Sequence, residues 1–398
     1  MRKIFFSLTF LALACSGVDH AAPTVSRATA GDTTIITSHA AVPIVRPGSV
    51  RVIWRSPDLE DPRAMARVGG RLVVADRRQL HVIDTATAAA TTIGRDGEGP
   101  GEFRNLTAVA AWRGDSVITY DARLHRLSWF GPDLAFARAV RWTPRPPFVS
   151  PRRPLDALRP GDAGLYVVRV ENVHVDRPTR SALLWVDPEA DTSRTLGDWP
   201  DFASTRLDGG LIGPARFYGP HLRVALSPTL AVFAHGQGVD YCVTMEPLTV
   251  GPHAAGVRRV CRDWRATPTG PGLRHPDFSV IRDTDTRRLL ANAAEQITMA
   301  DHLPAYDALR FDEDGRLWVR TLGPAMADIH PWLLARFPEL GPPVRRWDVF
   351  DSDGILSQTV EVQAGFDPRL ILADRAFGFY TLPTGEVVIG SVTLPAVH

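Results

Sequence analysis

Lysine is almost absent from this 398-residue chain. Lys3 is the only one, so 44 of the 45 basic residues are arginines. The arginines are scattered along the sequence and balanced by 44 acidic residues, which leaves a formal net charge of +1. A chain without a strong net field has no general attraction for nucleic acid or for an anionic membrane surface. We therefore predict no nucleic-acid partner, and we attribute the arginines to a GC-rich coding sequence rather than to a phosphate-binding surface.

Common catalytic and cofactor motifs are also lacking. The sequence contains no GxSxG elbow, HExxH helix, Walker loop or CxxCH haem site. Two short acidic loops, Asp312–Gly315 and Asp351–Gly354, lack the downstream Glu of a calcium-binding EF-hand, and we predict that both are β-turns. The sequence thus predicts no cofactor and no metal site, although a bound divalent cation stays open as an alternative without a motif to support it.

No apolar run near the N-terminus is long enough to span a bilayer. Ile4–Ala14 follows two basic residues and ends directly before Cys15, as in a secretory signal peptide whose end resembles a bacterial lipobox. We predict that residues 1–15 are a signal peptide, that Cys15 is lipidated and that residues 16–48 form a flexible tether. Signal cleavage without lipidation is the alternative. In both cases we expect an exported, cell-envelope protein whose only contact with a membrane is the N-terminal anchor.

Only two other cysteines occur, Cys242 and Cys261, at about equal distances from the apparent turn at Gly251 and Pro252. Antiparallel pairing about that turn places the two thiols opposite each other, and an exported chain meets an oxidising compartment. We therefore predict a disulfide. Two buried free thiols are the alternative, and a metal site is disfavoured because no CxxC or Cys/His spacing is present.

What the sequence does contain is a repeated four-strand unit. Leu106–Phe130 shows three short strands separated by polar turns, and a fourth strand follows at Phe136–Trp142. The second strand of the unit recurs six times, at Leu72–Asp76, Val117–Asp121, Leu165–Arg169, Leu230–Ala234, Leu317–Thr321 and Phe377–Thr381. Apolar and β-branched segments bounded by Gly, Pro and Asp are typical of strands.

Six four-stranded antiparallel meanders predict an all-β fold, a six-bladed β-propeller over residues 49–398. The sixth unit lacks an obvious fourth strand, and Ser49–Trp54 lies ahead of the first unit. A blade built from both ends of the chain would close the ring and remove a sheet edge. A β-sandwich or a pair of β domains is the alternative, disfavoured because six full meanders exceed what one sandwich needs.

A Gly-rich segment and the C-terminal strands resemble a known group of proteins. Ile93–Phe103 is similar to the Gly-rich connector of NHL-type repeats in bacterial six-bladed propellers, and Trp347–Gly354 and Asp374–Val388 are similar to the closing blades of that group. The resemblance implies the propeller fold over roughly residues 50–398. It implies no activity, because propellers host many functions. Some six-bladed propellers are calcium-dependent lactonases with an Asn-containing channel site, but no Asn lies inside a predicted first strand here.

Long insertions are predicted to gather on one face of the propeller. They fall between second and third strands or between blades, at 94–105, 196–220, 265–304 and 323–345. Asp283–His302 and Ile329–Phe337 within them have helical apolar spacing. Insertions on one face of a repeat protein usually mark its binding face. The two helical segments are expected either to cover a ligand pocket or simply to cover blade edges.

Polar side chains are expected near the same face. The candidate ligand-binding residues are Asp76, Arg104, Asn105, Asp121, Arg216, Tyr218, His221, His235 and His302. Convergent acids, imidazoles and guanidinium groups suit a polar ligand or acid–base chemistry. For each residue a structural role is the alternative, since an Asp at a strand end commonly accepts hydrogen bonds from a turn.

These observations favour a monomeric, non-enzymatic, envelope-anchored propeller that recognises a protein or a small ligand through its insertion-rich face. The alternative is a hydrolase or lyase that uses a metal or an Asp/His pair at the channel mouth. A scaffold that binds through the opposite, smooth face is a third reading, with few arginine-rich turns to support it.

Overall fold

Six sheets of four or more strands surround a central channel in the computed structural model. The structure describes residues 24–39, 41–142, 157–161, 164–170, 179–208, 212–248, 256–274, 276–336 and 340–395. Each sheet contains one antiparallel four-stranded meander, so the chain is a six-bladed β-propeller, as the repeat predicts. The first strands of neighbouring blades contact one another around the channel.

Blades 1 to 3 are built from consecutive strands. Blade 1 contains Pro62–Val68, Arg71–Asp76, Gln79–Asp84 and Ala90–Ile93. Blade 2 contains Leu106–Trp112, Ser116–Asp121, Arg126–Phe130 and Phe136–Arg141. Blade 3 contains Ala157–Pro160, Leu165–Val170, Arg180–Asp187 and Thr192–Pro200.

Blades 4 to 6 include strands from both ends of the chain. Blade 4 contains Arg223–Leu226, Val232–Gly236, Cys242–Pro247 and Arg258–Arg262. Blade 5 contains Tyr306–Phe311, Leu317–Thr321, Val344–Phe350 and Leu356–Gln363. Blade 6 contains Phe366–Ile371, Arg375–Thr381 and Val387–Thr393, and its fourth strand is Arg51–Trp54. That strand pairs antiparallel with Val387–Thr393, which confirms the predicted closure of the ring.

The chain ahead of the ring is folded, so the predicted flexible tether at 16–48 is wrong for its described residues, 24–39 and 41–48. Val25–Ala30 and Thr33–Ser38 form a β-hairpin, and the second of these strands adds in parallel to the outer strand of blade 4. The turn between them has Gly31 at φ +64°, a left-handed conformation that favours glycine. A Gly-Asp dipeptide between β-branched segments is a hairpin signal that the tether prediction overlooked.

Ile44–Val45 continues this arrangement by adding in parallel to the outer strand of blade 5. The N-terminal segment therefore covers the outer edges of blades 4 and 5 before it enters blade 6. An uncovered edge strand exposes unpaired N–H and C=O groups, which this pairing satisfies.

The middle strands of the blades are buried on both faces because each blade packs between two others. In blade 1 the second strand is buried from Leu72 through Asp76. The indole rings of Trp318 and Trp347 and the phenol of Tyr120 are among the largest fully buried side chains. Strands covered on both faces have continuous rather than alternating apolar residues, and this is why the second strands were the clearest repeat in the sequence.

Several strand boundaries differ from the predicted ones. The second strand of blade 4 is Val232–Gly236 rather than Leu230–Ala234, because Leu230 has φ +56° and belongs to the preceding turn. The predicted insertion at 196–220 begins only after Pro200, since the fourth strand of blade 3 stays paired to that residue. The insertion at 323–345 ends where Val344 starts the third strand of blade 5.

The insertions contain short helices and small sheets. The helices are α1 (Pro271–Arg274), α2 (Thr284–Glu295) and α3 (Pro331–Arg336). The 3₁₀ turns are Phe278–Val280 and Pro324–Met326. One small sheet pairs Ser204–Arg206 with Ile212–Pro214, and the other pairs Arg216–Phe217 with Thr298–Met299. Helix α2 starts at the predicted cap, where the Asp283 carboxylate accepts the Thr286 N–H at 2.7 Å. It ends earlier than predicted because the chain then pairs as a strand. No helix in the described ranges is long and apolar enough to cross a bilayer.

The Gly-rich connector locks the interface between blades 1 and 2. The Phe103 ring is fully buried there, and a Cβ on Gly94 would lie 2.5 Å from it. The Phe103 N–H donates to the Arg95 carbonyl at 2.9 Å, and the Glu102 carboxylate accepts the Gly99 N–H at 2.8 Å. The glycines therefore serve close packing in this connector.

Two local predictions are confirmed. Asp312–Gly315 and Asp351–Gly354 are β-turns, closed by hydrogen bonds from the fourth residue to the first carbonyl at 3.1 and 3.0 Å. Cys242 and Cys261 lie directly opposite each other on adjacent antiparallel strands, with Cα atoms 4.2 Å apart, and form a disulfide.

Candidate functional site

Asp76 and Asp121 are anchors for the chain where it enters a blade. The Asp76 carboxylate accepts the N–H groups of Glu60 and Asp61 at 2.9 and 2.6 Å. The Asp121 carboxylate accepts the N–H groups of Arg104 and Asn105 at 2.7 and 3.0 Å. The carboxylate oxygens are thus used in backbone hydrogen bonds, the structural alternative for an Asp at a strand end.

Arg104 and Asn105 belong to the same entry point into blade 2. The guanidinium of Arg104 lies 3.2 Å from a carboxylate oxygen of Asp96 and 3.5 Å from one of Glu98. Both acids lie in the Gly-rich connector, so Arg104 joins that connector to the blade. These residues do not line the cavity described below.

His235 and His302 are also placed apart from that cavity. The His235 Nε2 lies 2.7 Å from Glu246 Oε1, and its ring centroid is 4.6 Å from that of Trp199. His302 is exposed and forms an isolated bridge with Pro268. Of the nine predicted residues, the structure brings together Arg216, Tyr218 and His221.

These three residues line a cavity of about 790 Å³ on the insertion face, beside blades 4 and 5. Its wall contains the chain that enters blade 4, parts of the insertions at 196–220, 265–304 and 323–345, and the start of blade 5. The polar lining residues are Asp201, Ser204, Arg216, Tyr218, His221, Arg223, Gln237, Thr298, Tyr306 and Asp307. Three of the four predicted insertions therefore converge, as expected for a binding face.

Backbone pairing holds the insertions together around the cavity. Arg216–Phe217 pairs in parallel with Thr298–Met299, which joins the second insertion to the third. Tyr218 follows at φ +55°, a conformation that is strained for a side chain with a Cβ. Its hydroxyl donates to the Ile329 carbonyl at 3.1 Å, which fastens the fourth insertion to the same wall.

The central polar feature of the wall is a buried carboxylate next to an imidazole. His221 Nδ1 lies 2.7 Å from Asp201 Oδ1, an ion-pair distance, although the ring N–H is not aligned for a hydrogen bond. The Asp201 side chain is 1% exposed, whereas that of His221 is 39% exposed. The imidazole therefore joins a buried anion to open space.

The charge on Asp201 is supported from several directions. Burial raises the pKa of its carboxyl, but the contact with His221 and the hydrogen bonds from Ser181 Oγ and the Leu222 N–H outweigh burial and hold the pKa below its ordinary value. Asp201 is thus an anion at neutral pH. This buried anion lies in direct contact with the imidazole of His221.

The other polar groups of the cavity include neutral donors and a second carboxylate, that of Asp307. Burial, and then the charge of Asp307, raise the pKa of Tyr218 far above its ordinary range, so this phenol stays protonated. Ser204 Oγ is buried in the wall without a hydrogen-bond partner among the described residues. Asp307 is itself held in a two-pronged ion pair with Arg320, at 2.6 and 3.1 Å.

The cavity wall contains groups suited to hydrogen bonding and proton transfer. Across the described ranges, no group of three or more His, Cys, Asp or Glu side chains is arranged to hold a metal ion. The wall instead offers an Asp–His pair, hydroxyl groups and a guanidinium, which can bind oxygen atoms and move protons.

Comparisons with known proteins identify relatives of the fold. No protein-family model matches the chain, and no curated protein matches its sequence. Solved structures do match. A candidate exported protein from Bacteroides fragilis is 11% identical with a TM-score of 0.48, covering 90% of this chain and 99% of that one.

Two further matches are a calcium-binding regucalcin from Agrobacterium tumefaciens and a gluconolactonase from Xanthomonas campestris. The first is 10% identical with a TM-score of 0.42 and covers 89% of this chain and 99% of that one. The second is 12% identical with a TM-score of 0.43 and covers 88% and 91%. The likeness is one of fold. At such identities the activities of these proteins carry no argument for this chain.

The sequence did not reveal the acidic half of the Asp–His pair. Asp201 follows the long fourth strand of blade 3 and lies 20 positions before His221, a spacing that matches no local motif. Ser204 and Asp307 were also missed, because no local motif contains them. The sequence pointed to this wall through Arg216 and Tyr218, which lie in an insertion, and through His221, which lies directly before a first strand.

Proposed function

We propose that the insertion-face cavity is the acid–base site of a hydrolase or lyase, with His221 as the group that exchanges a proton with the substrate. The observation that carries this proposal is the pairing of His221 with the buried anion Asp201 in the wall of a cavity of about 790 Å³. This is the alternative that the sequence left open, in its Asp/His form.

In this proposal Asp201 is a positioning residue. Its carboxylate contacts Nδ1, so Nε2 is the ring nitrogen left for the substrate, and no described residue bonds Nε2. Imidazole is the side-chain group that most often serves as general acid or base, because it can accept a proton and return it.

The cationic part of the wall defines the substrate class. The guanidinium of Arg216 is exposed in the cavity and has no ion pair among the described residues. Ser204 Oγ supplies a second unused polar group. A small molecule with a carboxylate, ester or lactone oxygen would satisfy both, because guanidinium groups bind such oxygens with two parallel N–H donors.

A binding function without catalysis is the second candidate. Exposed apolar side chains on the insertion layer favour it: Leu289 of α2 is 52% exposed, and Val280 in the adjacent 3₁₀ turn is 43% exposed. Exposed apolar groups next to a ligand cavity are typical of a protein-interaction surface. This surface belongs to the same insertions as the cavity.

The test is a panel of lactones, esters and elimination substrates assayed with the purified chain. For any substrate that turns over, we expect His221→Asn to lower kcat/KM by about 10²–10⁴-fold, and Asp201→Asn to lower kcat and shift its pH profile. His302→Asn is the matched control, because His302 lies on the same face outside the cavity. Turnover that is equal in wild type and His221→Asn would reject the proposal. Ligand binding that needs Arg216 but shows no turnover would establish the binding function instead.

We also propose that the protein is an exported lipoprotein of the NHL-like propeller type. The signal-like residues before Cys15 support export, and the Cys242–Cys261 disulfide fits an oxidising compartment. Mass spectrometry of the mature N-terminus tests this. A diacylglyceryl group on Cys15, absent in Cys15→Ser, is the expected result, and an unmodified mature N-terminus would contradict lipidation.

A further inference from the structure

Arginine side chains that are far apart in the sequence meet in the central channel. The channel cavity has a volume of about 590 Å³ and is lined by the first strands of the blades. Its wall contains Arg63, Arg67, Arg159, Arg310 and Arg369. They come from blades 1, 3, 5 and 6, so the fold gathers residues that the sequence shows only as scattered.

Three of these arginines have carboxylate partners. Arg63 Nε donates to Asp61 at 3.0 Å, and Arg369 lies 2.7 Å from Asp367. Arg67 lies 3.9 Å from Glu313, at the outer limit of an ion pair.

Arg310 and Arg159 have no carboxylate partner among the described residues. Arg310 Nη1 donates to the carbonyl of its own neighbour, Leu309, at 2.9 Å, which is a neutral acceptor. The guanidinium of Arg159 takes part in no ion pair or hydrogen bond within the described ranges, although its backbone lies in a paired strand. Each side chain is partly buried in the channel wall.

The local field makes these two charges costly. Burial lowers the pKa of Arg159. Burial also lowers the pKa of Arg310 to about 10; Asp367 opposes this effect, while the charges of other nearby arginines add to it. Both groups remain cations at neutral pH. A partly desolvated cation without a counter-charge is unfavourable unless an anion is supplied.

The arginines give the channel a small excess of positive charge. Five guanidinium groups are matched by three carboxylates, those of Asp61, Glu313 and Asp367, which leaves two positive charges. Guanidinium groups are suited to phosphate-type oxygens because their planar forks bind two oxygens at once.

We propose that the central channel is a binding site for a doubly charged phosphate group, held by Arg310 and Arg159. The cavity includes Gly69 and Glu313, which belong to turns between first and second strands. It is therefore reached from the smooth face, opposite the insertions, and it is separate from the cavity of the proposed acid–base site. Inorganic phosphate and a phosphomonoester share the required chemistry.

The experiment measures phosphate binding to the whole chain by calorimetry and by thermal unfolding, with chloride at matched ionic strength as reference. We expect saturable binding of one phosphate and a rise in Tm for the wild type. Arg310→Gln and Arg159→Gln should each weaken binding at least tenfold. Arg288→Gln is the control, since Arg288 is an exposed arginine of α2 paired only with Asp285.

A second readout separates an anion site from a structural arginine. Without phosphate, Arg310→Gln should be as stable as wild type or more stable, because the substitution removes an uncompensated charge. The proposal would be overturned by a variant that is less stable with and without phosphate and whose phosphate affinity is unchanged. It would also be overturned if phosphate raised the Tm of wild type and variant equally. A sugar phosphate that binds more tightly than inorganic phosphate would identify an organic phosphate as the ligand, and equal affinities would identify the free ion.

Discussion

The hydroxyl of Tyr241 donates a hydrogen bond to the buried carboxylate of Asp348, across the boundary between blades 4 and 5. The same carboxylate accepts a hydrogen bond from Thr359 Oγ1 at 2.6 Å and forms an ion pair with Arg262. Asp348 is fully buried, and it joins the third strand of its own blade to two residues of blade 4. One carboxylate therefore holds two blades in register.

Asp348→Ala should lower the free energy of unfolding by about 3 kcal/mol or more, because it leaves Arg262 without its counter-charge and two hydroxyl groups without an acceptor. Urea unfolding followed by tryptophan fluorescence measures the change. Tyr241→Phe is the matched variant and should cost only about 1–2 kcal/mol, since it removes one donor. Equal losses in the two variants would contradict this account.

Reduction of the Cys242–Cys261 disulfide should lower the free energy of unfolding by roughly 3 kcal/mol, since the bridge closes a loop with a sequence separation of 19. The measurement compares unfolding with and without reductant. The double variant Cys242→Ser with Cys261→Ser should resemble the reduced protein and respond to reductant no further. A reductant effect that persists in the double variant would mean that the bridge is not its cause.

Acid should destabilise the layer of insertions through His330. Burial lowers the pKa of this imidazole to about 4, against an ordinary value near 6.5. The unfolded chain therefore binds the proton first as the pH falls. The contribution of His330 to the free energy of unfolding is fully present above about pH 6.5 and is lost progressively down to about pH 4. The total loss from this group is roughly 3 kcal/mol.

The pH dependence of unfolding for His330→Phe checks this prediction. The ring of His330 packs among Phe217, Phe278 and Trp332, so a phenyl group suits the site. The variant should lose most of the slope between pH 6.5 and pH 4. His302→Asn changes the number of histidines elsewhere on the same face and should keep the wild-type slope.

Asp201 should stabilise the fold as a charged group, whereas His330 does so as a neutral one. Its folded pKa lies below its unfolded value of about 3.9, so the contribution is present above that pH and is lost as the pH falls through the folded pKa. Asp201→Asn should therefore be less stable than wild type at pH 6, by about 1–3 kcal/mol. The gap should narrow below pH 4. A gap that is constant between pH 6 and pH 2 would show that the charge of Asp201 is not involved.

Much of the ring could be predicted from the sequence, because blades repeat and their middle strands are buried on both faces. Segments such as Val117–Asp121 carry that pattern locally, and the closing role of Ser49–Trp54 follows from a missing fourth strand. The pairing of the N-terminal hairpin with blade 4 was missed because its partner strand, Arg258–Arg262, lies more than 200 residues away and the pairing is parallel. No local pattern encodes such a pairing.

The sites were less accessible to sequence analysis for a similar reason. His221 was found from its position at a blade entrance, whereas Asp201 depends on how a long strand ends and turns towards it. The channel arginines Arg159 and Arg310 line one cavity only because both lie on first strands. The identity of a residue and its strand can be inferred locally, but the distance between two side chains is a property of the closed ring.

The N-terminal segment also imposes an order on assembly. Val25–Trp54 is synthesised before every strand it pairs with, those of blades 4, 5 and 6. As the polypeptide leaves the ribosome, Thr33–Ser38 has no blade partner until blade 4 is translated, Ile44–Val45 has none until blade 5, and Arg51–Trp54 has none until Val387–Thr393 of blade 6. Blades 1 to 3 can form while translation continues, but the molecule becomes a closed object only afterwards. For most of its synthesis the chain thus carries unpaired β-strands at its front, where a chaperone would find them.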